Sequence, residues 1–544
     1  MLSALIWLPV VGALIVGLWR SDDYEVAVAA PEGEANPVKA PMSLAESNSS
    51  LKTTALVFAS SLLLLTFFLL NQFDLGNSGM QLSEYHNWIE PIGISYSLGV
   101  DGLSLPLLVL NALLTWIVIF SSNRSQGRSR LFYALVFLVN AGVAGAFLAQ
   151  NLLLFVLFYE IELIPLYLMI AIWGSEKREY AATKFLIYTA VSGILILIGF
   201  LALGWLTTSP AISFDFADIN PSSLPLAVQI PLLLTLIVGF GIKTPLVPFH
   251  TWLPDTYVES SPSTTILLGG ILAKLGAYGL FRFCFQLFPQ AWEVLAPWFA
   301  LWAAIGVLYG ALAAIAQKDI KRMVAYSSIG HMSYILLACA AGTELSLVGG
   351  VAQMVSHGII LAILFYLVGI VEAKVGTREL DVLNGLLNPV RGLPLTSALL
   401  ILGGMASAGI PGLVGFVAEF LVFQGSFAKF PVPTIISIIG TGLTAVYFVI
   451  LLNRTCFGKL DNDTAYYPKV TAFEQAPALI LAAIIVFLGV FPTWLVRWSE
   501  PTTKSLVAAM PHSQANQVDV ALENQPIDLD NSLSLAPAIV PMLK

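Results

Sequence analysis

The sequence predicts an all-α, polytopic membrane protein. Of its 544 residues, 57% are hydrophobic and only 11% are charged, whereas soluble domains are about 25% charged. A soluble protein of this size would lack the polar surface needed to cover itself. Apolar stretches of about 20 residues, the length that crosses a bilayer as a helix, also recur along the chain. For the bulk of the chain these observations exclude a soluble enzyme, a nucleic-acid-binding protein and a disordered scaffold.

Fourteen stretches are long and apolar enough to span a membrane. They lie near residues 2–19, 53–70, 102–121, 131–149, 151–173, 183–206, 228–248, 262–287, 293–315, 322–341, 346–371, 395–427, 432–452 and 472–496. The first stretch lacks a positively charged start and a small-residue cleavage site, so we expect a retained span and not a signal peptide.

The basic residues indicate the orientation of these spans. Loops after odd-numbered spans carry 18 of the 25 Lys and Arg residues, and loops after even-numbered spans carry only Lys429. Because short cytoplasmic loops are enriched in Lys and Arg, we expect the odd loops in the cytoplasm and both termini on the opposite side. The acidic residues concentrate in segments 21–52 and 499–544, which we interpret as a polar linker and a polar tail.

No cofactor motif is visible in the sequence. Cys284, Cys339 and Cys456 share no motif spacing, which argues against an iron–sulfur, haem or zinc site. No basic patch indicates nucleic-acid binding. If the protein belongs to a redox machine, we expect the electrons to travel through other subunits.

Two carboxylates lie in the fifth span. Charged groups inside a membrane are costly and therefore become functional candidates. We expect Glu160 to be the functional carboxylate. The alternative is that it only makes a hydrogen bond between two helices. Glu162 lies about 200° further around the helix, so the two acids cannot share one face. One of them should face a partner helix or a lipid headgroup, and for Glu162 a satisfied helix–helix hydrogen bond is the better interpretation.

Two lysines also fall inside spans. Lys243 is followed by Pro245 and Pro248, and proline breaks the helical hydrogen-bond ladder. A charged residue beside a broken helix is typical of ion sites in transporters. Lys274 lies about twelve residues into the eighth span. For both lysines the alternative is a side chain that reaches to the membrane surface, and for Arg282, nearer the span end, that alternative or a structural salt bridge is the better interpretation.

The second half of the chain repeats this pattern. Glu419 follows a stretch with Gly409, Pro411 and Gly412 that should break span 12. The segment GIKTPLVPF at 241–249 aligns with GIPGLVGF at 409–416 if one gap is allowed. His331 and His357 can relay protons near neutral pH or serve as packing residues, and they lack metal-ligand spacing. The two broken spans, five apart, predict paired repeats.

These segments resemble a known family. The sequence is similar to the antiporter-like membrane subunits of respiratory complex I, of the NuoM type, and within it the cyanobacterial and plastid NdhD branch. The resemblance covers most of residues 90–500. It rests on LGVDGLSLP, YEIELIPLYLMIAIWG, AATKFLIYTAVSG, GIKTPLVPFHTWLPD, GGILAKLGAYGLFRF, KRMVAYSSIGHMSYILL, VSHG and GIPGLVGFVAEF.

The resemblance implies fourteen helices with two inverted five-helix repeats, spans 4–8 and 9–13, and broken helices 7 and 12. It places the first repeat in residues 131–290 and the second in 291–455. These lie between N-terminal helices in 1–130, helix 14 in 456–498 and the tail 499–544. It also implies roles in proton translocation. Glu160 and Lys243 would form the first ion pair, Lys274 would be the central lysine, His331 and His357 would continue towards Glu419, and Lys184 would be a further polar relay position.

The implied function is proton translocation as a subunit of a photosynthetic complex I (NDH-1), an NAD(P)H- or ferredoxin-plastoquinone oxidoreductase. Plastoquinone, the iron–sulfur clusters and the electron donor would be bound by other subunits. The implied partners are NdhF-type and NdhB-type antiporter-like subunits and lipids, in a cyanobacterial thylakoid membrane with luminal termini.

Two features bear on this assignment. The segment YVESSPSTT after LPDT departs from the common GEA-type stretch, which fits a specialised paralogue such as the CO2-uptake form, with a CO2-hydration subunit as partner. The alternative is a subunit of an Mrp-type cation/proton antiporter. Glu419 argues against it, because the Mrp homologues usually have lysine at that position.

Overall fold

The computed structural model describes residues 1–19, 42–122, 127–208, 211–460 and 467–511. Nearly all of its regular structure is helical, as the composition predicts. In chain order the elements are α1 Leu2–Gly17, α2 Met42–Gln72, β1 Gln81–Ile89, β2 Ile94–Val100, α3 Ser104–Ser121, α4 Ser129–Leu148, α5 Leu152–Ile161, α6 Leu163–Trp173, α7 Arg178–Thr207, α8 Leu226–Lys243, α9 Trp252–Glu259, α10 Pro262–Leu267, α11 Ala273–Gly279, α12 Pro289–Ile315, α13 Ile320–Ala341, α14 Glu344–Val375, α15 Pro394–Ser407, α16 Val414–Phe427, α17 Pro431–Thr455, α18 Ala472–Val490, α19 Thr493–Val496 and α20 Glu500–Ala508.

The predicted fourteen spans are confirmed in the described part of the chain. Twelve helical stretches are long and apolar enough to cross a membrane, and the shorter α1 and the pair α15–α16 supply the other two. Span 5 is α5 with α6, and span 8 runs from Pro262 to Phe285 and is buried from Thr264 onwards. The most buried spans therefore lie at the centre of the bundle, where a charged side chain has no lipid contact.

Spans 7 and 12 are broken, as predicted. α8 stops at Lys243, and the chain makes turns until α9 begins at Trp252. In span 12, α15 ends at Ser407 and α16 begins at Val414. Because the breaks lie five spans apart and successive spans alternate in direction, equivalent helices of the two repeats run in opposite directions. The repeats are therefore inverted.

A β-hairpin between spans 2 and 3 was not predicted. β1 and β2 pair antiparallel, with Tyr85 opposite Ser97 and Asn87 opposite Ser95. The turn includes Gly93 in the left-handed region, at φ 71°. The alternation of apolar and polar residues in ISYSLGV is a signal that could have identified β2.

The loops define two faces. On the face that we call the hairpin face, Asn151 Nδ2 donates to Asp215 Oδ1 over 2.9 Å, and Asp215 also accepts from Ser95 in β2. On the opposite, basic face, Lys177 N donates to Glu259 Oε2 over 2.9 Å. These contacts group loops after even spans on one side and loops after odd spans on the other, as the Lys and Arg count predicts.

The two polar segments differ from the prediction. α2 begins at Met42, so the C-terminal part of the predicted 21–52 linker is helical, and residues 20–41 lie outside the described residues. In the tail, Thr502 Oγ1 accepts from Gly102 N over 3.1 Å, and Leu506 is buried. The start of the tail therefore packs on the hairpin face, while residues 512–544 lie outside the described part.

Candidate functional site

The break in span 7 presents Lys243 to the interior. Lys243 is the last residue of α8 and is 1% exposed. After the turns, Trp252 Nε1 donates to Ile242 O over 2.9 Å, which ties the start of α9 back to the end of α8. The lysine is therefore held deep inside the bundle and cannot reach the membrane surface.

The partner of Lys243 is Glu162, so the predicted contact with Glu160 is wrong. The ammonium of Lys243 forms an ion pair with Glu162 Oε1, and both side chains are almost completely buried. Glu162 lies at the interruption between α5 and α6. Pro165, three residues later, supplies no amide hydrogen to the Ile161 carbonyl, which explains the interruption there.

Glu160 faces a different helix. A Cβ built on Gly193 of α7 would lie 1.8 Å from Glu160 Oε1, so the carboxylate fits against this glycine. Since the two acids project about 200° apart, only one of them can face Lys243. The sequence argument was right about that geometry but chose the wrong acid, because Glu162, for which only a helix–helix hydrogen bond was expected, is the ion-pair partner of Lys243.

Tyr159 completes the surroundings of Lys243 and was missed in the sequence. The ammonium lies 3.4 Å from the centre of the Tyr159 ring and donates to Tyr159 O over 3.3 Å. The Tyr159 hydroxyl is hydrogen-bonded to Ser192 Oγ over 3.0 Å. Tyr159 precedes Glu162 by three residues, the spacing that places side chains on one helix face. The lysine is therefore held by a carboxylate, a ring face and a carbonyl.

Lys274 lies at the centre of span 8 and is 0% exposed. The helix widens to a π-helix over Leu268–Leu272, immediately before the lysine, and π segments often mark functional sites. Lys274 Nζ donates to Gly269 O and lies 2.8 Å from His357 Nδ1. Since an ammonium has only donors, His357 accepts through Nδ1 when Lys274 is charged.

His331 connects this pair to the second broken helix. Its ring stacks on His357, with centroids 5.4 Å apart. His331 Nδ1 lies 2.7 Å from Ser327 O and Nε2 lies 3.0 Å from Ser407 O. Carbonyl oxygens only accept, so both nitrogens donate only in the imidazolium form. Glu419 Oε1, 3.5 Å from Nε2, is the counter-ion for that form.

The break in span 12 shapes the site of Glu419. Ser407, whose carbonyl reaches His331, is the last residue of α15. Gly409 has a φ of +69°, and a Cβ there would lie 2.7 Å from Glu419 Oε2. Glycine at this position therefore serves both the turn and the close approach of the carboxylate. Lys274, His357, His331 and Glu419, which were predicted to lie along one path, contact one another in that order.

Lys184 and Arg282 lie apart from the row of side chains that runs from Lys274 to Glu419. Lys184 Nζ forms an ion pair with Asp255 Oδ2 in α9 over 2.7 Å and is partly exposed near the basic face. Arg282 Nη2 is paired with Asp101 Oδ2 over 2.5 Å, and both are buried, which is the structural salt bridge considered in the sequence. Neither residue contacts the other predicted site residues through a described hydrogen bond or ion pair.

Among the described residues, no group of three or more His, Cys, Asp or Glu side chains is placed to hold a metal ion. The three cysteines are buried and unpaired with one another.

Comparisons with known proteins show the family of the chain. Residues 149–444 match the family model described as NADH:quinone oxidoreductase/Mrp antiporter, TM. The NAD(P)H-quinone oxidoreductase chain 4 1 of Synechococcus sp. (strain JA-3-3Ab) is 40% identical, over 80% of this chain and 84% of the relative. The chloroplastic NAD(P)H-quinone oxidoreductase chain 4 of Chaetosphaeridium globosum is 38% identical, over 81% of this chain and 88% of the relative.

Solved structures share the fold. A chain of respiratory complex I from Thermus thermophilus superimposes with a TM-score of 0.79 at 26% identity, covering 93% of this chain and 99% of that one. A chain of the Mrp complex from Dietzia sp. DQ12-45-1b gives 0.78 at 21% identity, with 94% and 99% coverage. The chain belongs to the NADH:quinone oxidoreductase/Mrp antiporter membrane-subunit family, among the NAD(P)H-quinone oxidoreductase chain 4 proteins.

Proposed function

We propose that this chain translocates protons as a membrane subunit of a photosynthetic complex I. One observation carries the proposal, namely the line of buried ionisable groups in the membrane interior. Glu162 and Lys243 form one pair, and Lys274 continues through two histidines to Glu419. A structural spacer has no need for such groups, since each buried charge costs several kcal/mol unless it is paired.

Each buried pair, Glu162 with Lys243 and Glu419 with His331, lets its basic side chain be either charged or neutral. When Lys243 is paired with Glu162, its ammonium is stabilised. When the pair opens, the carboxylate no longer favours the ammonium, and its proton can pass on towards Lys274. At the other end, the Glu419 carboxylate stabilises a charged His331 in the same way. Water and side chains at the two broken helices would open and close the paths to each face.

We propose that this chain holds no redox cofactor. Electron transfer to plastoquinone would occur on other subunits. It would cause the buried ion pairs of this chain to open and close from a distance. The chain 4 relatives from Synechococcus and from a chloroplast support a thylakoid location, with NdhF-type and NdhB-type neighbours and the basic face in the cytoplasm. The segment YVESSPSTT supports assignment to a CO2-uptake paralogue with a CO2-hydration subunit. Growth of a deletion strain at limiting CO2, with respiration measured in parallel, tests that assignment.

The proposal is tested by proton uptake into vesicles that contain the assembled complex. We expect Lys243→Met and Lys274→Met each to lower the number of protons taken up per quinone reduced, with the complex still assembled. Wild-type ratios in both variants would overturn the proposed function. An Mrp-type antiporter would instead exchange Na⁺ for protons with no electron donor present, and the same vesicles test this directly.

A further inference from the structure

The second half of broken span 7 carries a buried hydroxyl without a partner. Tyr257 in α9 is 0% exposed, and its hydroxyl has no hydrogen bond to any residue that the structure describes. An unpaired buried hydroxyl costs roughly 1–3 kcal/mol. Packing alone would therefore favour phenylalanine at this position, so the hydroxyl requires another explanation.

The hydroxyl end of Tyr257 lies against the turn that binds Lys274. A Cβ on Gly269 would lie 3.3 Å from Tyr257 Cε2, a ring carbon adjacent to the one that bears the hydroxyl. Phe365 holds the ring in an edge-to-face contact, with centroids 5.6 Å apart. The carbonyl of Gly269 accepts from the ammonium of Lys274. One helical turn therefore contacts both the tyrosine ring and the lysine.

The segment that carries Tyr257 leads to the basic face. Glu259, two residues further on, accepts from Ser175 Oγ over 2.5 Å and from Lys177 N over 2.9 Å. A cavity of about 660 Å³ lies at the same face, and Ser261 and Ser263 line it. Tyr257 is thus placed between a face that water reaches and the buried Lys274.

Two other buried polar atoms in this region lack partners within the described ranges, Thr256 Oγ1 and His357 Nε2. Thr256 precedes Tyr257, and His357 contacts Lys274 through its other nitrogen. Buried polar atoms that protein groups leave unpaired are commonly satisfied by ordered water. One of the unpaired atoms therefore belongs to the residue next to Tyr257, and the other belongs to the histidine that contacts Lys274.

We propose that the Tyr257 hydroxyl relays protons between the basic face and Lys274, an inference that rests on the proposed translocation. The hydroxyl would give its proton to a water or amine on the Lys274 side and receive another from a water on the basic-face side. One O–H bond breaks as another forms, so the ring carries no net charge after the step.

Tyr257→Phe tests the relay because it removes only the partnerless hydroxyl. We expect normal assembly and a fall of about a hundredfold in the rate of proton uptake by vesicles containing the complex, the lower end of the loss seen when a positioned proton donor is removed. Tyr133→Phe is the matched control. Tyr133 is also buried, but its hydroxyl is hydrogen-bonded to Ser122 Oγ over 2.9 Å, so a purely structural effect should be larger there.

Lys274→Met, in the same preparation, separates the two proposals. Loss of uptake in Lys274→Met with a wild-type rate in Tyr257→Phe would overturn the relay and leave the proposed function intact. Wild-type uptake in Lys274→Met would overturn the relay together with the role of the lysine. Failure of Tyr257→Phe to assemble would also overturn it, because the hydroxyl would then be needed for folding. Recovery of uptake in Tyr257→His, whose imidazole can pass a proton, would support the relay.

Discussion

The carboxylate of Glu160 lies against Gly193 of the neighbouring helix, and a Cβ on that glycine would fall 1.8 Å from Oε1. This contact explains why Glu160 does not reach Lys243, although it lies on the same span as Glu162. The glycine provides the space that the carboxylate occupies, so the two positions should respond to substitution together.

We therefore expect Gly193→Ala to lower the thermal stability of the purified complex, by about 1–3 kcal/mol for an overpacked position. The added methyl group must displace the carboxylate. Gly442→Ala is the control, because nothing lies within 4 Å of the Cβ position there and alanine favours the helix. If Gly193→Ala were as harmless as Gly442→Ala in a thermal melt, the described contact would be wrong.

His331 and Glu419 should behave as one unit. Removing the carboxylate by Glu419→Gln leaves the imidazolium form of His331 without a counter-ion, and His331→Gln leaves the carboxylate unpaired. The double variant should therefore lose less stability than the two single losses added together, with an interaction energy of about 0.5–3 kcal/mol. A double-mutant cycle on thermal unfolding measures it, and strict additivity would exclude the ion pair.

Glu84 in β1 should make the attachment of α1 depend on pH. Partial burial raises the pKa of Glu84, but hydrogen bonds from the N-terminal amine and Ser3 outweigh it, and the pKa lies below the ordinary 4.5. A carboxylate with a lowered pKa contributes stability above its unfolded pKa and loses it as the pH falls through the folded value.

Hydrogen exchange in α1 measures this attachment. Protection should be constant near neutral pH and fall only in acid below about 4.5. In Glu84→Gln it should be lower at neutral pH and lose most of that acid dependence. An unchanged acid profile in Glu84→Gln would show that another group anchors α1.

The two faces should label from opposite sides of the membrane. Glu176→Cys lies on the basic face and Ser222→Cys on the face of the hairpin, and both positions are exposed. Because the native cysteines are buried, an impermeant thiol reagent should report the new ones. We expect Glu176→Cys to react from the cytoplasm and Ser222→Cys from the other side. Reaction of both from one side would refute the span count.

The spans and breaks were predictable because they depend on local composition. Apolar length identifies a span whatever it packs against, and prolines or glycines inside a span disrupt its ladder whatever the tertiary structure. The row of contacting side chains from Lys274 to Glu419 was predicted through family resemblance. That these side chains point into the bundle follows from the cost of placing a charge in lipid.

The identity of the counter-ion was not predictable in this way. The choice between Glu160 and Glu162 depends on the rotation of α5 at the Pro165 interruption and on the space beside Gly193, and neither follows from hydropathy. Tyr159 was missed because an aromatic residue in an apolar span looks like ordinary packing. The hairpin was missed because it is short and lies between two strong helical signals.

The most direct test of the account compares Glu162→Gln with Glu160→Gln in vesicles that contain the assembled complex. The quantity is protons taken up per quinone reduced. Glu162→Gln leaves the Lys243 ammonium without its carboxylate and should abolish or strongly reduce the ratio, while Glu160→Gln should retain a clearly larger share of it. A wild-type ratio in Glu162→Gln, or a greater loss in Glu160→Gln, would contradict the assignment of Glu162 as the partner of Lys243.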